Sequence, residues 1–281
     1  MIAREGTISG AAAALHVSQP SLSRQMQELE RDLGVRLFER GSRHVTLTEP
    51  GMRLRRRAEE IVDLVGRAEE EFRLTADTLA GEVRIGGGET PAMGLLAEVI
   101  SGFVETYPLV RFSLFSGNAE SVSERLDSGR VDFGVFIGHV DLSRYEFLQL
   151  PARDRWGAFV REDDPLAALD RVTPLDLANR SLILSEQASR EMGAWFHRDL
   201  EDLDVVATYN LLYNAALLAR RGIGVVVSLE GIVDTNEGSG LAFRPLEPAI
   251  SAEVFIAWKR YQSFSPAAEA FLGEIRARWG A

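Results

Sequence analysis

The chain has 281 residues, 31 basic and 42 acidic side chains, a formal net charge of −11, 46% apolar residues and no cysteine. That length suits two or three domains, and the ordinary composition excludes extended disorder, collagen and a coiled coil alone. Lacking a thiol, the chain can build no disulfide, thiolate zinc site, iron–sulfur cluster or cysteine nucleophile. Neither a signal-peptide core nor a run of about 18 apolar residues is present, so a cytoplasmic protein without a membrane partner is expected.

Taken as an average, the acidic charge points away from nucleic acid. Cut into segments, it does not. Residues 1–57 hold ten Arg and six acids, a net +4, whereas 58–80 carry −5 and 81–281 carry −10. The basic segment reads as short helices with turns. Ser9 is an N-cap candidate for an Ala-rich helix through Leu15, and a second helix starts at Ser18-Gln19-Pro20. Leu22, Met26, Leu29 and Leu33 recur along it at spacings of four, three and four, and Gly34 stops it. Residues 35–40 and 45–48 then read as a two-stranded wing with Arg43 at its tip. Helix, turn, helix and wing in this order fit a module whose second helix meets base edges in the major groove. A solvated Arg-rich helix face is the competing reading.

The residues that carry a family likeness run without a gap over about fifty positions: Glu5-Gly6-Thr7-Ile8-Ser9, Ala11-Ala12, Leu15, Val17 to Gln25, Leu29-Glu30, Leu33-Gly34, Leu37-Phe38-Glu39-Arg40 and Leu47-Thr48-Glu49-Pro50-Gly51. This run resembles the winged helix-turn-helix of LysR-type transcriptional regulators. The resemblance implies that Ser18, Gln19, Pro20, Ser21, Ser23 and Arg24 open a recognition helix, with Arg40 and Arg43 on the wing. Gln19 is the expected base reader, since a Gln amide pairs bidentately with adenine, while Ser and Arg more often hold phosphate. In this family a further helix precedes the Gly6 region. Only Met1 to Glu5 stand there, about ten residues fewer than expected, which implies either a start recorded downstream of the true one or an impaired DNA-binding domain.

From Pro50-Gly51 to Leu79 the pattern is one long helix. Leu54, Ala58, Ile61, Val65, Ala68, Phe72, Thr75 and Leu79 fall on a seam that alternates four and three. A lone helix would leave that seam wet, so pairing with a second chain is expected, and the resemblance implies the same linker helix and dimer, with a homotetramer by likeness alone.

Beyond Gly81, strands and helices alternate, which predicts an α/β unit with a mostly parallel sheet. Strands are expected at 83–86, 112–115, 131–137, 182–184, 205–209, 224–227 and 254–258, with 156–160 opening a second such unit, and helices near 91–107, 119–128, 191–200, 213–221 and 265–279. Gly129 to Gly134 and Arg221 to Val225 resemble signature points of the LysR effector domain, a two-lobed fold like that of periplasmic binding proteins. The resemblance implies a DNA-binding domain at 1–50, a linker helix at 51–80 and an effector domain at 81–281. Its first lobe is 81–150 with 253–281, and its second is 151–252.

The ligand is expected in the cleft between lobes, outside the carboxyl ends of the strands. Gly87-Gly88-Glu89-Thr90 precedes an expected helix N-terminus suited to an anion, and Thr90 matches a ligand-binding position of the family. Glu89 departs from an anion site and favours an amine or a polyol, or turns away. Asn118, Ser185 and Tyr209 complete the candidate effector set, each with a helix cap or turn residue as the competing reading. The histidines His16, His44, His139 and His197 are scattered and no nucleophile elbow occurs, so no enzyme activity, metal or cofactor is expected. The sequence reads as an effector-controlled regulator of double-stranded operator DNA. The alternative is a cytoplasmic ligand-binding oligomer whose first domain no longer grips DNA.

Overall fold

The computed structural model describes residues 1–40, 44–73, 79–187, 189–197 and 199–280, which divide into two compact units, Met1–Glu69 and Glu70–Ala281. In the first unit, α1 (Ile2–Glu5), α2 (Ile8–Ala14) and α3 (Gln19–Leu33) precede the hairpin of β1 (Phe38–Arg40) and β2 (Val45–Leu47) and the long α4 (Glu49–Arg73). Its core is small. Ile2, Ala11, Ala12 and Leu22 are buried, with Ile8, Met26, Phe38 and Val45 packed against them. Two alanines with almost no exposed surface let α2 lie close to its neighbours, and Ile2 in α1 closes the base of that core. The cap of α2 is Thr7 rather than Ser9. Its hydroxyl accepts the Gly10 N–H at 3.0 Å from extended backbone, which places the helix start two residues earlier.

The second unit is one twisted sheet with helices on both faces. Its elements are β3 (Ala80–Gly87), α5 (Met93–Thr106), β4 (Leu109–Ser116), α6 (Ala119–Asp127), β5 (Phe133–Ile137), β6 (Tyr145–Arg161), α7 (Pro174–Leu177), β7 (Leu182–Ser185), α8 (Ser189–Phe196), β8 (Val205–Tyr209), α9 (Leu212–Arg220), β9 (Val225–Leu229), β10 (Leu241–Pro245), β11 (Ser251–Lys259) and α10 (Pro266–Trp279). The strand order is β4-β3-β5-β11-β6-β9-β7-β8, with β10 paired to β6. β3 is parallel to β4 and β5, and β7 is parallel to β8 and β9, so each half is a small parallel sheet. The long β6 and β11 join the halves as an antiparallel pair.

Each lobe has its own core. Phe103, Phe112, Phe133 and Phe271 pack edge to face at 5.0–5.9 Å between ring centroids in the first lobe. Trp156, Val160, Leu182, Leu184, Met192 and Val227 are buried together in the second.

Three expectations are corrected. Leu79 does not continue the α4 seam: it is half-buried against the first-lobe core, directly before β3. β6 begins at Tyr145, well before residue 156, where the sequence reading opens the second unit. Pro151 lies where the β6–β11 register shifts, so its missing N–H breaks no regular rung. β10 was also missed, because a strand ending in Pro245 and paired on one side only resembles loop. A Phe271→Ala substitution should cost roughly 3–5 kcal/mol in urea unfolding; a loss under about 1 kcal/mol would contradict the central place of this ring.

Candidate functional site

The expected site residues fall on two surfaces, one in each unit. At the start of α3, Ser18 is in extended backbone and accepts the Ser21 N–H at 3.3 Å, with Pro20 in the first turn. This cap leaves Gln19, Pro20, Ser21 and Arg24 exposed and Ser23 half-buried, while Leu22 turns into the core. A polar, solvent-facing first turn of this kind can enter a major groove. Arg43 and the side chain of Arg40 lie outside the described residues.

The other end of α3 holds a residue that sequence reasoning missed. Glu30 Oε1 accepts the N–H groups of Leu37 at 2.7 Å and Phe38 at 3.2 Å, which ties the recognition helix to the first wing strand. An acid near a helix C-terminus opposes the helix dipole, and that misfit was the available signal that it serves something beyond the helix. Thr48 closes the wing. Its hydroxyl donates to the Arg36 carbonyl at 2.6 Å and accepts the Gly51 N–H at 3.1 Å. A Cβ on Gly51 would overlap the Leu37 carbonyl oxygen, so only glycine fits the crossing of α4 over this loop.

Along α4, Ile61, Val62 and Val65 are 62%, 69% and 52% exposed, more than surface apolar residues on a finished helix face should be. Ala58 is also exposed and Leu54 half-buried, while the side chains of Ala68 and Phe72 lie outside the described residues.

In the second unit, a cavity of about 630 Å³ lies at the carboxyl ends of the strands of both lobes. Glu89, Asn118, Ser185 and Tyr209 all line it. Asn118 caps α6 by accepting the Ser121 N–H at 2.9 Å, and Ser185 accepts the Gln187 N–H at 3.4 Å. Tyr209 donates to the Val227 carbonyl at 2.8 Å, and burial, with the Glu89 charge nearby, pushes its phenol well above the usual range, so it stays protonated. Their cap and turn roles coexist with a place on the cavity wall. Arg153, Gln187, Asn210 and Glu253, which the sequence did not single out, share that wall, as does His139, one of the scattered histidines; Arg153 and Glu253 are paired at 3.3 Å.

Thr90 is placed differently from expectation. It is buried, lies outside the 630 Å³ cavity, and donates its hydroxyl to Asp154 on β6 while accepting the Ala92 N–H at 3.0 Å. The first-turn N–H groups of α5 are also taken: Met93, Gly94 and Leu95 donate to the carbonyls of Thr90, Pro91 and Ala92 at 2.9–3.1 Å. The expected anion cradle is therefore closed by its own backbone. Glu89 reaches across the cleft instead, and its Oε2 accepts the Leu212 N–H at the start of α9 at 2.6 Å. α9 has no side-chain cap from its own N-cap residue, Leu211, and a carboxylate from the opposite lobe supplies one.

Two family models match most of the chain. Residues 1–52 match "Bacterial regulatory helix-turn-helix protein, lysR family", and residues 76–280 match "LysR substrate binding domain". The chain belongs to the LysR family. It is a transcriptional regulator with a DNA-binding helix-turn-helix and an effector-binding domain of periplasmic-binding-protein type. The LysR-family relatives include the hydrogen peroxide-inducible genes activator of Pectobacterium carotovorum subsp. carotovorum, 30% identical over 241 residues, 84% of this chain and 79% of that protein. YfeR of Shigella flexneri, an uncharacterized HTH-type transcriptional regulator, is 27% identical and covers 98% of this chain and 90% of its own. The crystal structure of CbnR, a LysR family transcriptional regulator, shares the fold with a TM-score of 0.75 at 22% identity, over 98% of this chain and 95% of that one.

Asp154 gives this LysR cleft a pH signature. Burial raises its carboxyl pKa against the opposing Thr90 hydrogen bond. A carboxyl with a raised folded-state pKa holds more protons folded than unfolded, so its contribution to stability falls as pH climbs from the ordinary carboxylate range through the raised value. Asp154→Asn can still accept from Thr90 but carries no charge. Its unfolding free energy relative to wild type should therefore increase across that range; a flat or falling difference would contradict the assignment.

Proposed function

We propose that the protein works as a homo-oligomer that grips double-stranded operator DNA and changes its geometry when a small molecule enters the interlobe cavity. The DNA-binding domain spans 1–50, the pairing helix 51–80 and the effector domain 81–281, with lobes at 81–150 plus 253–281 and at 151–252. The observation that carries the reading is the capped, exposed first turn of α3. It offers Gln19 to a base and Ser18, Ser21, Ser23 and Arg24 to the phosphate backbone, with Arg40 and Arg43 on the wing. The exposed apolar face of α4 supports self-association, which brings two recognition helices to two half-sites and lets a modest basic unit suffice.

In the cavity, Glu89, Asn118, Ser185 and Tyr209 contact the effector directly, and Thr90 acts through Asp154 rather than by touching the ligand. The ligand must bind one lobe geometry better than another, because only that difference can shift the arrangement of the paired DNA-binding units. A relative is named for hydrogen peroxide, yet this sequence contains no cysteine, so thiol oxidation is not its signal. In this reading the protein is a cytoplasmic regulator rather than an enzyme, in keeping with the transcriptional regulators it resembles.

Using a duplex selected by the protein from a random pool, Gln19→Ala should lose about 1–3 kcal/mol of discrimination at one base position. Arg43→Ala should weaken all sequences alike and lower the salt slope by about 1; a uniform loss for Gln19→Ala would remove its reader role. Ile61→Asp should convert the oligomer to a smaller species in sedimentation velocity, and an unchanged assembly would rule out the α4 face as the pairing surface.

A further inference from the structure

Glu89 places a carboxylate on the wall of the interlobe cavity. Its Oε2 is engaged by the Leu212 N–H at 2.6 Å, and its Oε1 receives no hydrogen bond among the described residues although the side chain lines the cavity. The α9 N-terminus, the place in the second lobe where an incoming carboxylate would find free N–H groups, is thus already occupied by a carboxylate of the chain. The remaining charged groups described on that wall are Arg153 and Glu253, which are paired at 3.3 Å, together with the titratable His139. Among the described residues no basic side chain is paired with Glu89. Phe147 and Phe255, in edge contact at 5.7 Å between centroids, offer an apolar surface on the same wall.

We propose that Glu89 is the specificity-determining residue of the cleft: the effector presents a protonated amine to Glu89 and an apolar portion to the aromatic pair, and carboxylate effectors are excluded. This rests on the effector-cavity reading above. An anion placed in the cavity would face Glu89 beside a Leu212 N–H that is already engaged, whereas an ammonium gains a charge-assisted hydrogen bond to Oε1. Glu89 also joins the lobes through α9, so an ammonium drawn to this carboxylate binds at the seam between lobes, where it favours the arrangement that keeps Glu89 and α9 together.

Two probes that share a phenethyl group and carry opposite charge test this on the full chain: phenethylamine and hydrocinnamate, titrated calorimetrically at equal ionic strength into wild type and Glu89→Gln. Wild type should bind the amine about tenfold more tightly than the carboxylate, and Glu89→Gln should erase or reverse that ranking. Glu89→Gln keeps an oxygen to accept the Leu212 N–H, so the fold is retained, and Glu89→Asp, which keeps the charge, should preserve the preference for the amine. Binding of hydrocinnamate to wild type as tight as that of the amine, a ranking unchanged by Glu89→Gln, or no binding of either probe overturns the proposal. Gel shifts of the same proteins on the selected duplex separate the two readings: loss of DNA binding in every form strikes the regulator reading alone, and a wrong ranking with intact DNA binding strikes this one alone.

Discussion

The antiparallel pairing of β6 with β11 is the constraint on which the effector unit depends. Both connections between the lobes run through this one ladder, from Tyr145–Lys259 at one end to Arg155–Ser251 at the other. Because each strand passes from one parallel half-sheet to the next, the carboxyl ends of β3, β4 and β5 face those of β7, β8 and β9 across a gap that no side chain of the sheet core can fill. The cavity follows from that topology. The ladder also sets what can bend: the register shift between Glu253 and Phe255, with Pro151 opposite, is where the backbone pairing is weakest. Directly beside it Asp154 and Thr90 are buried together, and Arg155 grips Glu230 through two hydrogen bonds of 2.8 Å. Polar contacts thus hold the crossover where ladder bonds are interrupted.

The winged unit is governed by economy of volume instead. Its core holds few large side chains, so near-contact of α2 through Ala11 and Ala12 and the tight passage of Gly51 beneath Leu37 do the work that bulk does in the lobes. Glu30 and Thr48 then satisfy backbone donors and acceptors that a two-strand wing leaves open. With so little apolar area to spare, these hydrogen bonds keep the recognition helix and the wing in a fixed relation.

Much of the fold was legible because its elements announce themselves locally. Ser18 with Pro20 and Gly34 bracket α3, Ser265 caps α10, and the uninterrupted apolar run of β5 reads as a buried parallel strand. What escaped was non-local. β10 has meaning only as the partner of β6, and the strand character of 145–155 depends on β11, a hundred residues later in the chain. The candidate site divides the same way. Asn118, Ser185, Tyr209 and Glu89 could be placed on the cavity wall from sequence because strand ends in such sheets face the cleft. Nothing near Thr90 in sequence reveals that Asp154 lies within reach, and Arg153 with Glu253 could be matched only once the two crossover strands were in register.

The cap of α9 has a thermodynamic consequence. Most helices close their first turn with a neighbour in sequence, as Asn118 does for α6, but α9 borrows its acceptor from a residue 123 positions away in the other lobe. The fraying of that helix is therefore linked to the opening of the cleft. Whenever the lobes part, the Leu212 amide loses its acceptor and its first turn loosens. Hydrogen exchange at this amide would then follow lobe separation directly, giving a native reporter of the cleft that requires no ligand and no label.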